Sequence, residues 1–375
     1  MVCLNKSGNG SKPAKTSGGS CGIGLAVRRT LFIEIANWPM YLVFFFSPTS
    51  VLKIRTKTCC GRIWFRKYRN LSVEGMETII RHMPQRLSIK KPADFSFHHT
   101  LKSHGWYDLA PFESENEHGG FSYVFHNGTD DVVAAGTVRD GKGTIRITIE
   151  DGIDPAAAKR SVRHMLRLDD DIEEFYTMVH GTDLGWVADK RAGRLLRSAT
   201  VFEDLVKSLC TTNCSWGLTR IMVGNLVEKL GDTSAEGRKA FPTPEAMASV
   251  GPDFYRNEVK AGYRSPYFAE LAEAVASGKL DPESWFGAGI PTEELKKEIK
   301  NVKGIGDYAA ENLLKLLGRY DGLALDSWLR GGFFKKHNRG RKCTDKKIEK
   351  YYSKYGRWQG LAIWCDMTES WFSGS

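Results

Sequence analysis

Past Pro84 the chain runs through short apolar stretches broken by turn residues, and from Asp154 onward apolar positions recur at helical spacing. Residues 121–125, 132–138 and 144–149 are rich in aromatic and β-branched side chains, which favour strands. Asn127-Gly128 and Asp140-Gly141 supply turn signals between them. A further strand is expected near residues 95–101. At Asp154-Pro155 the signal changes, because proline is tolerated at the first helical position. Helices are expected over 171–178, 199–209 and 219–230; in the last, Ile221, Met222, Leu226, Val227 and Leu230 mark one face. The same periodicity continues over 268–277, 292–301, 309–317, 348–352 and 359–371. The expected fold class is α+β, a mainly helical domain preceded by a small antiparallel β lobe. The expected boundaries are a basic extension over 1–84, a β lobe over 85–152 and a helical domain over 153–375. A chain of 375 residues suffices for such a division, and no internal repeat is visible.

Residues 1–73 have a different texture. They hold twelve Lys/Arg and a single acid, Glu34. The apolar stretch from Leu31 to Leu52 nearly matches a bilayer span in length, yet Glu34, Asn37, Pro39 and Pro48 interrupt it. An organelle-targeting leader, a membrane anchor and a disordered extension all remain open, with the acid-poor, Ser-bearing composition favouring the leader. Beyond this segment the chain is close to neutral, with 42 basic and 43 acidic residues. Lys296 to Arg357 nevertheless carries seventeen Lys/Arg against seven acids, whereas Glu74 to Leu295 is acidic. That asymmetry suits a single surface facing a polyanion, or simply a solvated charged face. The eight cysteines show no paired ligand spacing, and reduced thiols with neither zinc nor an iron–sulfur cluster are expected.

The informative stretch begins at Thr292. A short amphipathic helix reaches Val302, Lys303-Gly304-Ile305-Gly306 turns sharply, and a second helix starts at Asp307. Two glycines permit a tight turn and close approach by another chain. The free N–H groups and positive end of the second helix form a phosphate site. Ile305 is expected to be buried, with Ala309 and Ala310 allowing close helix packing. Twenty residues after Gly306 stands Asp326, followed by Ser327-Trp328-Leu329-Arg330, where an N-cap belongs.

A Gly-x-Gly hairpin, a helix of about three turns and an aspartate opening the next helix together resemble the helix-hairpin-helix-Gly/Pro-Asp (HhH-GPD) DNA glycosylase superfamily, in particular its 3-methyladenine and 8-oxoguanine branch. The resemblance runs from about Phe95 to Trp371. It includes Phe202 to Asn213, similar to a helix leading to a DNA-invading loop; Gly262-Tyr263-Arg264; and Tyr355 to Asp366, similar to the final helix. It implies that Asp326 is the catalytic carboxylate. It implies further that Lys303, Gly304, Ile305, Gly306 and Asp307 hold the DNA backbone. Asn213 and Tyr263 would wedge the duplex, Arg264 would face the unpaired base, and Gln359, Trp328, Tyr308 and Trp364 would line the base pocket.

The departures narrow the expectation. Bifunctional relatives place a lysine nucleophile two residues after the second hairpin glycine, where this chain has Tyr308. The Gly-Gln-x-Phe-Arg-Trp segment of the 8-oxoguanine branch is replaced by Ser103-His104-Gly105-Trp106-Tyr107, and its histidine two residues after the aspartate by Trp328. The expected protein is a monomeric, monofunctional glycosylase of base-excision repair, without cofactor. It would act on duplex DNA bearing an alkylated purine, or next an oxidised one, in the nucleus, or in a mitochondrion or plastid if the leader directs it there. A DNA-damage-binding scaffold without turnover is the alternative.

Overall fold

The computed structural model describes residues 84–372 apart from 116–118, 128–131 and 151. The leader, anchor and extension readings of residues 1–83 lie outside the described residues.

Five antiparallel strands form one sheet: β1 (Gln85–Lys90), β2 (Glu113–Glu115), β3 (Gly120–His126), β4 (Val133–Gly141) and β5 (Thr144–Ile149), in the order β1-β5-β4-β3-β2. The strand expected at 95–101 is instead a helix, α1 (Phe97–Leu101). Ser96 caps it by accepting from the His99 amide at 3.4 Å, and Phe97 and Leu101, one turn apart, are both buried. The sheet's outer strands are β1 and β2; the first buries only Ile89 and the second is Glu-Ser-Glu. The β4–β5 turn also differs from expectation. Asp140 and Gly141 are still in register, Gly141 with Thr144, and Lys142-Gly143 makes the turn with Gly143 at φ +69°.

The helices follow as α2 (Pro155–Met165), α3 (Glu173–Val179), α4 (Gly185–Asp189), α5 (Val201–Thr211), α6 (Trp216–Leu230), α7 (Pro244–Ala248), α8 (Pro252–Asn257), α9 (Ser265–Ala276), α10 (Thr292–Lys300), α11 (Asp307–Leu316), α12 (Ser327–His337), α13 (Asp345–Tyr352) and α14 (Gln359–Thr368). Asp154 caps α2 through the amides of Ala156 and Ala157, with Pro155 in the first turn. Sheet residues Phe121, Tyr123, Phe125 and Ile147 belong to the same hydrophobic core as Leu205, Leu209 and Leu313 of the helices.

Helix α5 joins the layers through buried polar contacts. Trp106 Nε1 donates to Asp204 Oδ1 at 2.7 Å, Tyr123 donates its hydroxyl to Glu203, and Lys207 Nζ meets Glu203 Oε1 at 2.6 Å. Burial pushes the Asp204 carboxyl up to about 6. The stitching fixes the direction in which α5 delivers Asn213. Among the described residues, no helix is long and apolar enough to cross a membrane, and Cys210, Cys214, Cys343 and Cys365 are free thiols.

Candidate active site

Helix α10 ends at Lys300 with Asn301 as its C-cap, Gly304 turns the chain at φ +88°, and Gly306 is the N-cap of α11. A Cβ on Gly304 would lie 2.6 Å from the Tyr267 ring and 2.7 Å from Leu209, so both conformation and space demand glycine. Ile305 is buried and its amide donates to Val302 O at 3.1 Å, while Lys303, Gly304, Gly306 and Asp307 are exposed. Ala309 and Ala310 are buried. Lys303 pairs with Glu270 at 2.6 Å and Lys300 with Asp307 at 2.9 Å. The Lys300 hydrogen bond holds the Asp307 carboxyl below its usual range. The turn therefore presents backbone N–H groups at a helix start, with lysines around it and one carboxylate already neutralised by its neighbour.

Asp326 is the N-cap of α12, its Oδ1 accepting from the Leu329 amide at 2.7 Å. Tyr308 of α11 stands close enough for the Asp326 carboxylate to act on its hydroxyl electrostatically. Burial first, and then the carboxylate itself, push the Tyr308 hydroxyl above its ordinary value, so it stays protonated. Seven residues along the same helix, Lys315 is 1% exposed and its Nζ donates to Leu323 O at 2.8 Å. Burial pulls this ammonium down to about 8, against the opposing influence of Glu311 and Asp326.

An aromatic cluster lies at the first turn of α12, which Asp326 caps. Trp328, 46% exposed, lies 6.2 Å from Trp364 and 5.8 Å from Trp371 between ring centroids. Trp364 Nε1 donates to Ser103 O at 2.8 Å, which brings in the divergent 103–107 segment. His104 packs against both Trp106 and Trp364, with centroids 4.3 and 5.3 Å away, and its Nδ1 is buried without a partner. Burial, reinforced by Lys315, holds the His104 pKa down to about 3, so the ring is neutral. Gln359 turns its amide to Asp321 O at 2.5 Å.

Asn213 and Tyr263, fifty residues apart, meet at an exposed edge, where Asn213 Nδ2 donates to the Tyr263 hydroxyl at 3.3 Å. Asn213 adopts φ +44° and Tyr263 is 52% exposed. Arg264, expected to face an unpaired base, is instead 3% exposed. Its Nε donates to Thr212 Oγ1 at 3.0 Å, a second guanidinium nitrogen donates to Thr212 O, and the group stacks 4.5 Å from the Tyr263 ring. A guanidinium committed to the loop backbone in this way braces Asn213 and Tyr263.

No family model matches the chain. A probable N-glycosylase/DNA lyase of Methanothermobacter thermautotrophicus is 24% identical over 221 residues, covering 52% of this chain and 68% of that protein. The solved 3-methyladenine DNA glycosylase of Archaeoglobus fulgidus superposes with a TM-score of 0.62 at 20% identity, covering 77% of this chain and 100% of that one. The Clostridium acetobutylicum 8-oxoguanine glycosylase/lyase, in complex with double-stranded DNA containing cytosine opposite 8-oxoG, gives 0.60 at 16% identity over 78% and 98%. The chain has the fold of the helix-hairpin-helix DNA glycosylases.

On this HhH-GPD-type frame the structure brings Asp326, Tyr308, Trp328 and Trp364 into one neighbourhood, beside the hairpin that Tyr308 follows by two residues. Gln359 touches the segment leading to Asp326. The Asn213–Tyr263 edge forms a second group. Sequence reasoning missed His104, Lys315 and Trp371. The first and last reach the cluster from opposite ends of the fold, and Lys315 carries no local mark of burial.

Proposed function

We propose that this protein is a DNA N-glycosylase that hydrolyses the glycosidic bond of a damaged purine flipped out of duplex DNA, with Asp326 as its catalytic carboxylate. The observation that carries the proposal is Asp326 held at the start of α12, just beyond the glycine hairpin and α11, in the fold of the glycosylases. Breaking an N-glycosidic bond develops positive charge on the sugar. A carboxylate held at a helix start stabilises that charge and orients or deprotonates the attacking water. Tyr308 occupies the position of the lysine nucleophile, and a phenol held above its ordinary pKa is not a nucleophile at neutral pH. The chemistry we propose is therefore monofunctional base removal, with water rather than an amine and without a cofactor.

A base inside a duplex is out of reach, so the nucleotide must rotate into a pocket. We assign the exposed Asn213–Tyr263 edge to filling the gap, with Arg264 bracing it, and the Lys303-to-Asp307 turn to holding the backbone. Trp328, Trp364 and Trp371 offer faces on which an electron-poor base can stack, which favours an alkylated purine, with an oxidised one next. The partner is double-stranded DNA, bound by a monomer, and the nucleus is the proposed place of work.

A second reading, a damage-binding scaffold without turnover, draws on the Leu329 amide: a capping role alone accounts for an aspartate at position 326. Duplexes bearing 3-methyladenine, hypoxanthine, 1,N6-ethenoadenine, 8-oxoguanine or uracil separate the two. Glycosylase action yields heat-alkali-labile sites with at least one of them; strand cleavage without alkali would overturn the monofunctional part. Binding without abasic product on every duplex would leave the scaffold.

A further inference from the structure

One stripe of α11 holds the segment that ends at Asp326. Glu311 Oε2 accepts from the Ala324 amide at 2.5 Å and Lys315 Nζ donates to Leu323 O at 2.8 Å, while Tyr308 on the same face lies within electrostatic reach of Asp326. Positions 308, 311 and 315 share a helix face, so the helix runs forward while the segment it touches runs back. The segment is closely confined. Gly322 lies so near Glu311 that a Cβ would stand 2.7 Å from its Cγ, and Ala324 is held at φ +52°, a conformation that disfavours a side chain. From the other side Gly360 N donates to Tyr320 O at 2.7 Å. Glu311 is itself fixed by Lys296 of α10, 2.6 Å away.

We propose that Glu311 and Lys315 are positioning residues that set the Asp326 carboxylate relative to the hairpin, making α11 a rigid gauge between the backbone-binding turn at its start and the catalytic group beside it. The inference rests on the glycosylase reading of the same site. Its physical basis is economy of placement. A buried lysine and a partly buried glutamate spend hydrogen bonds on backbone atoms three and two residues before Asp326, where apolar side chains of similar length would fill the space without desolvating charge. The same helix supplies the amides at which a DNA phosphate would dock, so a backbone seated at Gly304–Asp307 meets the carboxylate at a distance fixed by one helix.

Glu311→Gln and Lys315→Met, each made in the full chain, test the inference by single-turnover excision on the preferred lesion duplex and by duplex affinity. The expected result is an excision rate lower by about tenfold to a hundredfold, with the half-saturating protein concentration within about twofold, because misplacement acts on the bond-breaking step. Amide exchange at Ala324 is expected to accelerate by about tenfold or more in Glu311→Gln. Unchanged rates in both variants, or unchanged Ala324 exchange in Glu311→Gln, would overturn the inference. A wild-type protein inert on every lesion defeats the glycosylase reading instead, and the exchange measurement then still decides whether Glu311 holds the segment.

Discussion

Replacing Lys315 by methionine is expected to stabilise the fold while impairing the site, and the size of the first effect follows from its burial. The ammonium is 1% exposed and its pKa falls from the ordinary 10.5 to about 8, chiefly through burial. That fall corresponds to about 3 kcal/mol of destabilisation whenever both folded and unfolded chains are protonated. Methionine fills a similar volume without charge, but it leaves Leu323 O without its donor, which costs about 1–3 kcal/mol. The net expectation at pH 7 is a gain of about 0–2 kcal/mol. Above pH 8 the folded wild type sheds the proton that its unfolded chain keeps until about pH 10.5, so wild-type stability rises relative to the variant across that window. Urea midpoints at pH 7, 8, 9 and 10 read this directly, and the advantage of Lys315→Met should shrink steadily from pH 8 upward. A gap that stays constant with pH would refute the reasoning, as would a variant less stable by several kcal/mol at pH 7.

His104→Leu should remove part of the protein's acid sensitivity. A neutral, buried histidine with a pKa of about 3 contributes stability that is lost as pH falls below its unfolded value near 6.5, about 2 kcal/mol by pH 5; equal loss between pH 7 and 5 in wild type and variant would contradict this. Gly304→Ala places a side chain at φ +88° against Tyr267 and Leu209, so a stability loss of about 1–3 kcal/mol and weaker duplex binding are expected by thermal unfolding and titration. Tyr263→Ala should slow excision while leaving the free energy of unfolding within about 0.5 kcal/mol of wild type, since the ring is half exposed; an unchanged excision rate would remove Tyr263 from the proposed wedge.

The helical part and the hairpin were legible because their signals are local. Apolar spacing around 219–230 and the Gly-x-Gly turn need only neighbouring residues to be read. The sheet's margins were not legible: β1 and β2 are largely polar, while Phe95 and Phe97 alternate like a strand but precede a Ser96-capped helix turn. Asp140-Gly141 carries a turn signature, yet strand pairing continues through it to Lys142-Gly143. In the site, Asp326 and Tyr308 stood out by position, and the fold joins them. Arg264 turned inward because Thr212, far off in sequence, offers both a hydroxyl and a carbonyl to its fork. Lys315 resembled any solvated lysine on a helix, and only tertiary packing reveals that Leu323 O and the Trp364 ring enclose it. His104 meets Trp364 across the whole length of the helical region, a contact that no local pattern encodes.

Asp326→Asn bears most directly on the central claim, because asparagine is as good an N-cap as aspartate and leaves the start of α12 intact. Single-turnover excision by the two proteins should be compared on whichever lesion duplex the wild type cleaves, alongside affinity for the same duplex. If Asp326 is the catalytic carboxylate, the rate falls by about 10²–10³-fold or more, with affinity and unfolding midpoint close to wild type. Excision by Asp326→Asn within tenfold of the wild-type rate would contradict it and reduce Asp326 to a helix cap.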